Sequence, residues 1–95
     1  MSEKIQLLHP AGKHAVRMDI EKYKTIRSAI LKSLPKKKAV THAELLELVL
    51  EYLKNKKIKF NGSVEWYVES VKLDLEANNL VLRLKEHAKQ YFKLP

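Results

Sequence analysis

The sequence predicts an α+β fold, three helices with a β-hairpin at each end, and three observations lead there. Apolar residues recur at three- and four-residue spacing over three stretches, each preceded by an Asp, Thr or Ser able to cap a helix. At both ends of the chain, short apolar runs instead flank turn-forming residues. Gly 2 and Pro 3 in 95 residues leave few breakers, so the middle of the chain is expected to be helix rather than loop. A chain of this length makes one domain with one modest core. Its parts are an N-terminal hairpin extension (1–18), a three-helix core (19–79) and a C-terminal hairpin (80–95).

Ile5–His9 and His14–Met18 flank Pro10-Ala11-Gly12-Lys13, where Pro presets φ and Gly tolerates a positive one; this predicts the first hairpin. The first helix is predicted from Ile20 to Leu34. Asp19 caps it, Glu21 suits the positive end of its dipole, and Met18 is placed to staple onto Tyr23. Tyr23, Ile26, Ile30 and Leu34 make its buried stripe, and Pro35 ends it because proline disfavours helical geometry in the residue before it. Ala39-Val40 reads as a very short strand. Thr41-His42-Ala43-Glu44 is a capping box with Val40 and Leu45 as its staple, the sharpest local signal in the chain. The second helix then runs to about Lys54. Leu45, Leu48, Val49 and Tyr52 line one side with Leu46, Leu50 and Leu53 beside them, a breadth that predicts substantial burial. Ile58-Lys59-Phe60 crosses to Asn61-Gly62. Ser63 caps the third helix, and Asn78-Asn79 ends it, since Asn accepts the left-handed conformation of a helix C-terminus. Leu80–Lys85 and Gln90–Leu94, joined by Glu86-His87-Ala88-Lys89, form the last hairpin.

The charge is uneven. Nineteen Lys and Arg face eleven Asp and Glu, a net charge of +8 that leaves anionic partners open. Residues 1–40 hold ten cations and three acids, residues 41–80 five and seven, residues 81–95 four and one. A polyanion is therefore expected at the N-terminal third and the last hairpin. Cys is 0, which removes disulfides, thiolate metal sites and cysteine nucleophiles together. The greasiest stretch, Leu45–Leu53, is cut by Glu47 and Glu51 and falls far short of the roughly 20 residues a membrane span needs. With no export signal, a cytoplasmic location is the expectation.

The order helix, short strand, helix, turn, helix, hairpin over residues 20–94 resembles a winged helix-turn-helix domain. The resemblance is strongest from Trp66 to Leu84, where the third helix ends in L-x-x-N-N-L-V-x-R ahead of a basic hairpin. More narrowly, the spacing of Trp66, Val71 and Leu73-Asp74-Leu75-Glu76-Ala77 is similar to a small family of uncharacterised bacterial winged-helix proteins. That family implies a fold and no activity. In winged helices that bind DNA, the third helix enters the major groove and the hairpin, the wing, touches backbone or minor groove.

Two features depart from that pattern. Between Ser63 and Asn79, Glu65, Glu69, Asp74 and Glu76 face Lys72 alone, so phosphate would be repelled. Val64, Val68, Val71 and Leu75 form the stripe assigned to the core, while Trp66, Ser70, Leu73 and Ala77 fall on the opposite side. That second stripe needs a cover, either the N-terminal hairpin or a second subunit.

The candidate nucleic-acid contacts are therefore Lys36, Lys37 and Lys38, beside the second helix's N-terminus, and Arg83, Lys85 and Lys89 on the wing. For the lysine run, a solvated turn is the heavier reading. For the wing cations, protection of an exposed strand edge weighs evenly against a phosphate track. Trp66 is expected to pack under the N-terminal hairpin ahead of stacking on a base or anchoring a partner. His9 and His14 could approach across their turn, but no third ligand joins them, so no metal and no cofactor is expected. No nucleophile elbow, glycine phosphate loop or isolated carboxylate pair argues for catalysis, and no small-molecule substrate is evident. The leading reading is a non-enzymatic binder of nucleic acid, double-stranded DNA first, acting through the wing and basic turns. The alternative is a winged-helix module for protein interaction or homodimerisation, with Trp66, Ser70, Leu73 and Ala77 as the interface.

Overall fold

The computed structural model describes residues 3–95. Three helices and two small antiparallel sheets follow in the order β1 (Lys4–Gln6), β2 (Arg17–Asp19), α1 (Ile20–Ser33), α2 (His42–Asn55), α3 (Val64–Ala77), β3 (Leu82–Glu86) and β4 (Lys89–Lys93). Each helix opens where a side-chain oxygen meets an orphan amide. Asp19 accepts from the Lys22 N–H at 3.1 Å, and Ser63 accepts from the Trp66 N–H at 3.2 Å. At α2 the capping box closes in both directions: Thr41 Oγ1 accepts the Glu44 N–H at 3.2 Å, and Glu44 Oε1 accepts the Thr41 N–H at 3.0 Å.

The helix ends are just as local. Leu34 turns extended ahead of Pro35 and stops α1. At α3, Asn79 takes φ 62°, the Leu80 N–H donates to the Leu75 carbonyl at 2.8 Å and the Asn79 N–H to Glu76 at 3.1 Å. This is a Schellman ending. α2 ends the same way, with Lys57 rather than Asn or Gly at φ 56° and the Ile58 N–H on the Leu53 carbonyl at 2.9 Å.

α1 packs against both α2 and α3. Ile26, Ala29 and Ile30 of α1, Leu45 and Val49 of α2, and Val68, Val71 and Leu75 of α3 are sealed from solvent, with Val81 and Phe92 closing the end beside the C-terminal hairpin. Each large apolar side chain so buried contributes about 1.5–3 kcal/mol. Among the described residues, no helix is long and apolar enough to cross a membrane.

Several elements differ from their expectation. Both N-terminal strands are three residues long, with Ile5 opposite Met18, because the chain leaves the ladder after the Leu7 N–H to Val16 carbonyl bond. The next amide, Leu8, donates to Asp74 on α3 at 2.8 Å instead of to a strand. Ala39-Val40 shrinks to one bridge, Val40 to Phe92. The C-terminal hairpin begins at Leu82, since the Leu80 amide is used by the end of α3. Its turn is only His87-Ala88, both left-handed (φ 50° and 66°), as a type I′ hairpin requires. Leu50 is exposed, because α1 and α3 cover one side of α2 rather than its whole apolar breadth.

Candidate functional site

The Val40–Phe92 bridge positions the most functional-looking part of the surface. The Val40 N–H donates to the Phe92 carbonyl at 2.9 Å and the Phe92 N–H to Val40 at 2.7 Å. This seats β4 against the segment just before α2, with α3 as the third wall. An open groove of about 530 Å³ results, walled by Thr41, His42 and Ala43 of the α2 start, Glu69 and Lys72 of α3, and Arg83, Lys89, Gln90 and Phe92 of the β3–β4 hairpin.

Lys72 lies at its floor and is only 2 % exposed. Its ammonium donates to His42 Nδ1 at 2.8 Å, sits 3.9 Å from the centre of the Phe92 ring, and meets Glu69 Oε2 at 3.6 Å. The His42 proton then sits on Nε2, which faces Glu69 Oε2 at 3.5 Å. Burial holds the Lys72 ammonium below the usual lysine range; Glu69 opposes that shift and Arg83 adds to it. The His42 imidazole is likewise held down, by burial first and by the Lys72 charge second. Glu44 titrates lower than an ordinary glutamate because it accepts from the Thr41 backbone and side chain; the charges of Lys38 and Lys89 also bear on it.

The six basic candidates separate. Lys36, Lys37 and Lys38 are exposed on the α1–α2 connection, and Lys85 and Lys89 on the wing. Lys38 lines a groove with Val40 and Glu44, and Lys89 lines the neighbouring one with Thr41, His42 and Ala43. Arg83 is engaged: its Nε and Nη2 reach both Glu76 oxygens at 2.8 and 2.9 Å, and Nη1 donates to Gln90 at 3.1 Å. Lys85 is not part of the groove.

The apolar stripe of α3 also separates. Ser70 and Leu73 lie beneath Leu8, His9, His14, Ala15 and Val16, the loop of the N-terminal hairpin, around a cavity of about 100 Å³. Ala77 is half-buried. Trp66 is not under the hairpin: it remains 45 % exposed and stacks edge-on against Tyr67 at 4.8 Å, which in turn meets Phe60 at 5.0 Å. The reason is where the loop is pinned. Asp74, two turns beyond Trp66, accepts the Leu8 N–H and, at 2.6 Å, the Tyr23 hydroxyl, so the loop covers the later half of α3 only. Burial, then the hydrogen bond to Asp74, push the Tyr23 hydroxyl up to about 12. Tyr23 packs against the core from the stripe of α1, as expected, while its hydroxyl serves as a polar post. His9 is a turn residue, its Nδ1 accepting the Ala11 N–H at 3.0 Å. Among the described residues no group of three or more His, Asp or Glu could hold a metal ion.

Lys72 and His42 were not legible as a pair in the sequence, where one counts as a lone base and the other as part of a cap. The available signal was position: Lys72 follows Val71 and lies four residues after Val68, at the edge of the core stripe. A family model described as a family of unknown function (DUF6958) matches residues 4–91. No curated protein and no solved structure matches the chain.

Proposed function

The chain belongs to the DUF6958 family, whose function is unknown, and we propose that it is a winged-helix protein that binds nucleic acid, double-stranded DNA first, through its wing and the Lys36–Lys38 turn. The element order supports the winged-helix reading, and the Val40–Phe92 bridge carries the functional one. That bridge seats two basic runs, far apart in sequence, beside one helix N-terminus: Lys38 borders one groove with Val40 and Glu44, and Lys89 another with Thr41, His42 and Ala43. α3 offers no such footing. Glu65 and Glu69 are exposed on it against no free cation, and the N-terminal loop lies over Ser70 and Leu73. A duplex is therefore met by the wing and the turn, and contact is to phosphate rather than to base edges.

A titration of a mixed-sequence duplex at several salt concentrations tests this. Affinity should fall linearly with salt on logarithmic axes, and similarly for unrelated sequences. No binding at low ionic strength would end the proposal. One observation favours the alternative, a protein-interaction or homodimerisation module: Trp66 is nearly half exposed, and Leu80, Leu82 and Leu84 of the wing region are exposed as well. If Trp66 anchors a symmetric dimer, sedimentation will give twice the chain mass, and Trp66→Ala will return it to monomer while remaining folded.

A further inference from the structure

We propose that the groove between the start of α2, α3 and β4 binds a phosphate monoester, with the Lys72 ammonium as its anchor. The argument begins with a deficit around that ammonium. It has three N–H donors, and His42 Nδ1 at 2.8 Å takes one. Glu69 stands at 3.6 Å, beyond ordinary hydrogen-bond length, and Phe92 offers only its ring face. A buried ammonium is costly unless it is paired and its donors are used. Glu69 is half exposed and shared with His42; Glu76 also attracts the ammonium but is held by Arg83, whose like charge opposes it. The ammonium is thus paired at a distance, with His42 its one close acceptor among the described residues.

The walls carry the same sign. The His42 and Ala43 backbone N–H groups have no acceptor among the described residues, because the cap satisfies Glu44 and the first intrahelical bond begins at Leu45. They belong to the α2 N-terminus, the positive end of its dipole. Lys89 stands at the rim. Lys72 and Lys89 together match a dianion, whereas the diester of a nucleic-acid backbone carries one charge per phosphate. The volume, about 530 Å³, exceeds a free phosphate ion and leaves room beside Ala43 and Phe92 for an organic remainder. Glu69 is the one carboxylate on the wall, and its exposure lets it turn toward water when an anion enters.

The inference does not depend on duplex binding. Its ligand is either a small phosphorylated molecule or the 5′-phosphate at a nucleic-acid end, and the two share one chemistry. The test follows backbone amide signals by NMR as inorganic phosphate, then glycerol 3-phosphate, is added against chloride at equal ionic strength. Saturable shifts at His42 and Ala43, absent with chloride, are expected. Lys72→Met and Ala43→Asp should each weaken binding roughly tenfold or more. Ala43→Asp guards against loss of folding by the first variant, since residue 43 is exposed and an acid in a first turn suits a helix. No saturable shift, or equal binding by Ala43→Asp, overturns the proposal. A 5′-phosphorylated oligonucleotide that binds better than both its 5′-hydroxyl twin and glycerol 3-phosphate assigns the site to nucleic-acid ends; the reverse assigns it to small molecules. Phosphate binding without duplex binding removes only the nucleic-acid reading, and duplex binding without phosphate binding removes only this one.

Discussion

Asp74 connects three parts of the chain through two oxygens. Oδ1 accepts the Leu8 N–H at 2.8 Å and Oδ2 the Tyr23 hydroxyl at 2.6 Å, so one carboxylate ties the N-terminal loop and α1 to α3. Removing it strands both donors. Asp74→Ala should cost about 2–4 kcal/mol, read as a lower urea midpoint. The same contact gives a pH signature. The Tyr23 hydroxyl ionises at 10.0 in the unfolded chain and about 12 in the folded one. Between those values the folded state binds more protons, so stability is whole below pH 10 and falls as pH rises through the folded value. Urea midpoints measured from pH 9 upward should show this decline in the wild type. Tyr23→Phe should lose the part of it that belongs to this group; an unchanged alkaline limb would remove Tyr23 as its source.

At the scale of elements, two turns hold residues in conformations they enter reluctantly. Lys57 ends α2 at φ 56°, where a side chain is penalised and Gly is not. Lys57→Gly should stabilise the protein by about 0.5–1 kcal/mol, with the urea midpoint rising at constant slope. The wing turn, His87-Ala88, has the same character, and its cost is borne by an otherwise regular ladder from Leu82–Lys93 to Glu86–Lys89. The wing also separates its cations by task. Arg83 is paired with Glu76 and braces the hairpin against α3, whereas Lys85 and Lys89 are exposed. Replacing Lys85 and Lys89 by Ala should flatten the salt dependence of duplex binding by about two units, if each meets one phosphate, without unfolding the domain. Arg83→Ala should instead lower stability, since it strands Glu76. A slope change of three units on adding Arg83→Ala to the pair would show that Arg83 leaves Glu76 for phosphate.

Across the whole molecule, positive and negative charge are gathered on different elements. The turn after α1 and the C-terminal hairpin are basic, while the outer side of α3 is acidic and partly roofed by the N-terminal loop. A net charge of +8 acts at long range, whereas close contact with a polyanion would meet the local charges of one face. Lys36→Ala, Lys37→Ala and Lys38→Ala together should therefore weaken duplex binding on all sequences alike, whereas Glu65→Gln with Glu69→Gln should strengthen it or leave it unchanged. Loss of binding to one sequence alone in the second variant would mean that α3 reads bases, and the proposed docking would be wrong.

The helices and their limits were legible in the chain before any packing was known. Asp19, the Thr41–Glu44 box, Ser63, Pro35 and Asn79 act on amides and carbonyls within a few residues of themselves, so each signal is complete locally. The wing and the first hairpin were legible as pairs of strands but not in extent, because Leu8 and Leu80 spend their amides on α3 rather than on a ladder. The groove was not legible. Lys72 becomes a buried cation only when α3 lies beside the start of α2 and Phe92 closes over it, and His42 becomes its acceptor through the same crossing. Arg83 and Trp66 show the reverse error: the first is paired where a free cation was expected, and the second exposed where cover was expected. A backbone group finds its partner a few residues away, so helix ends are written in neighbouring letters. The charge and solvent around a side chain are set by whatever the fold brings beside it, and that information is spread over the whole chain.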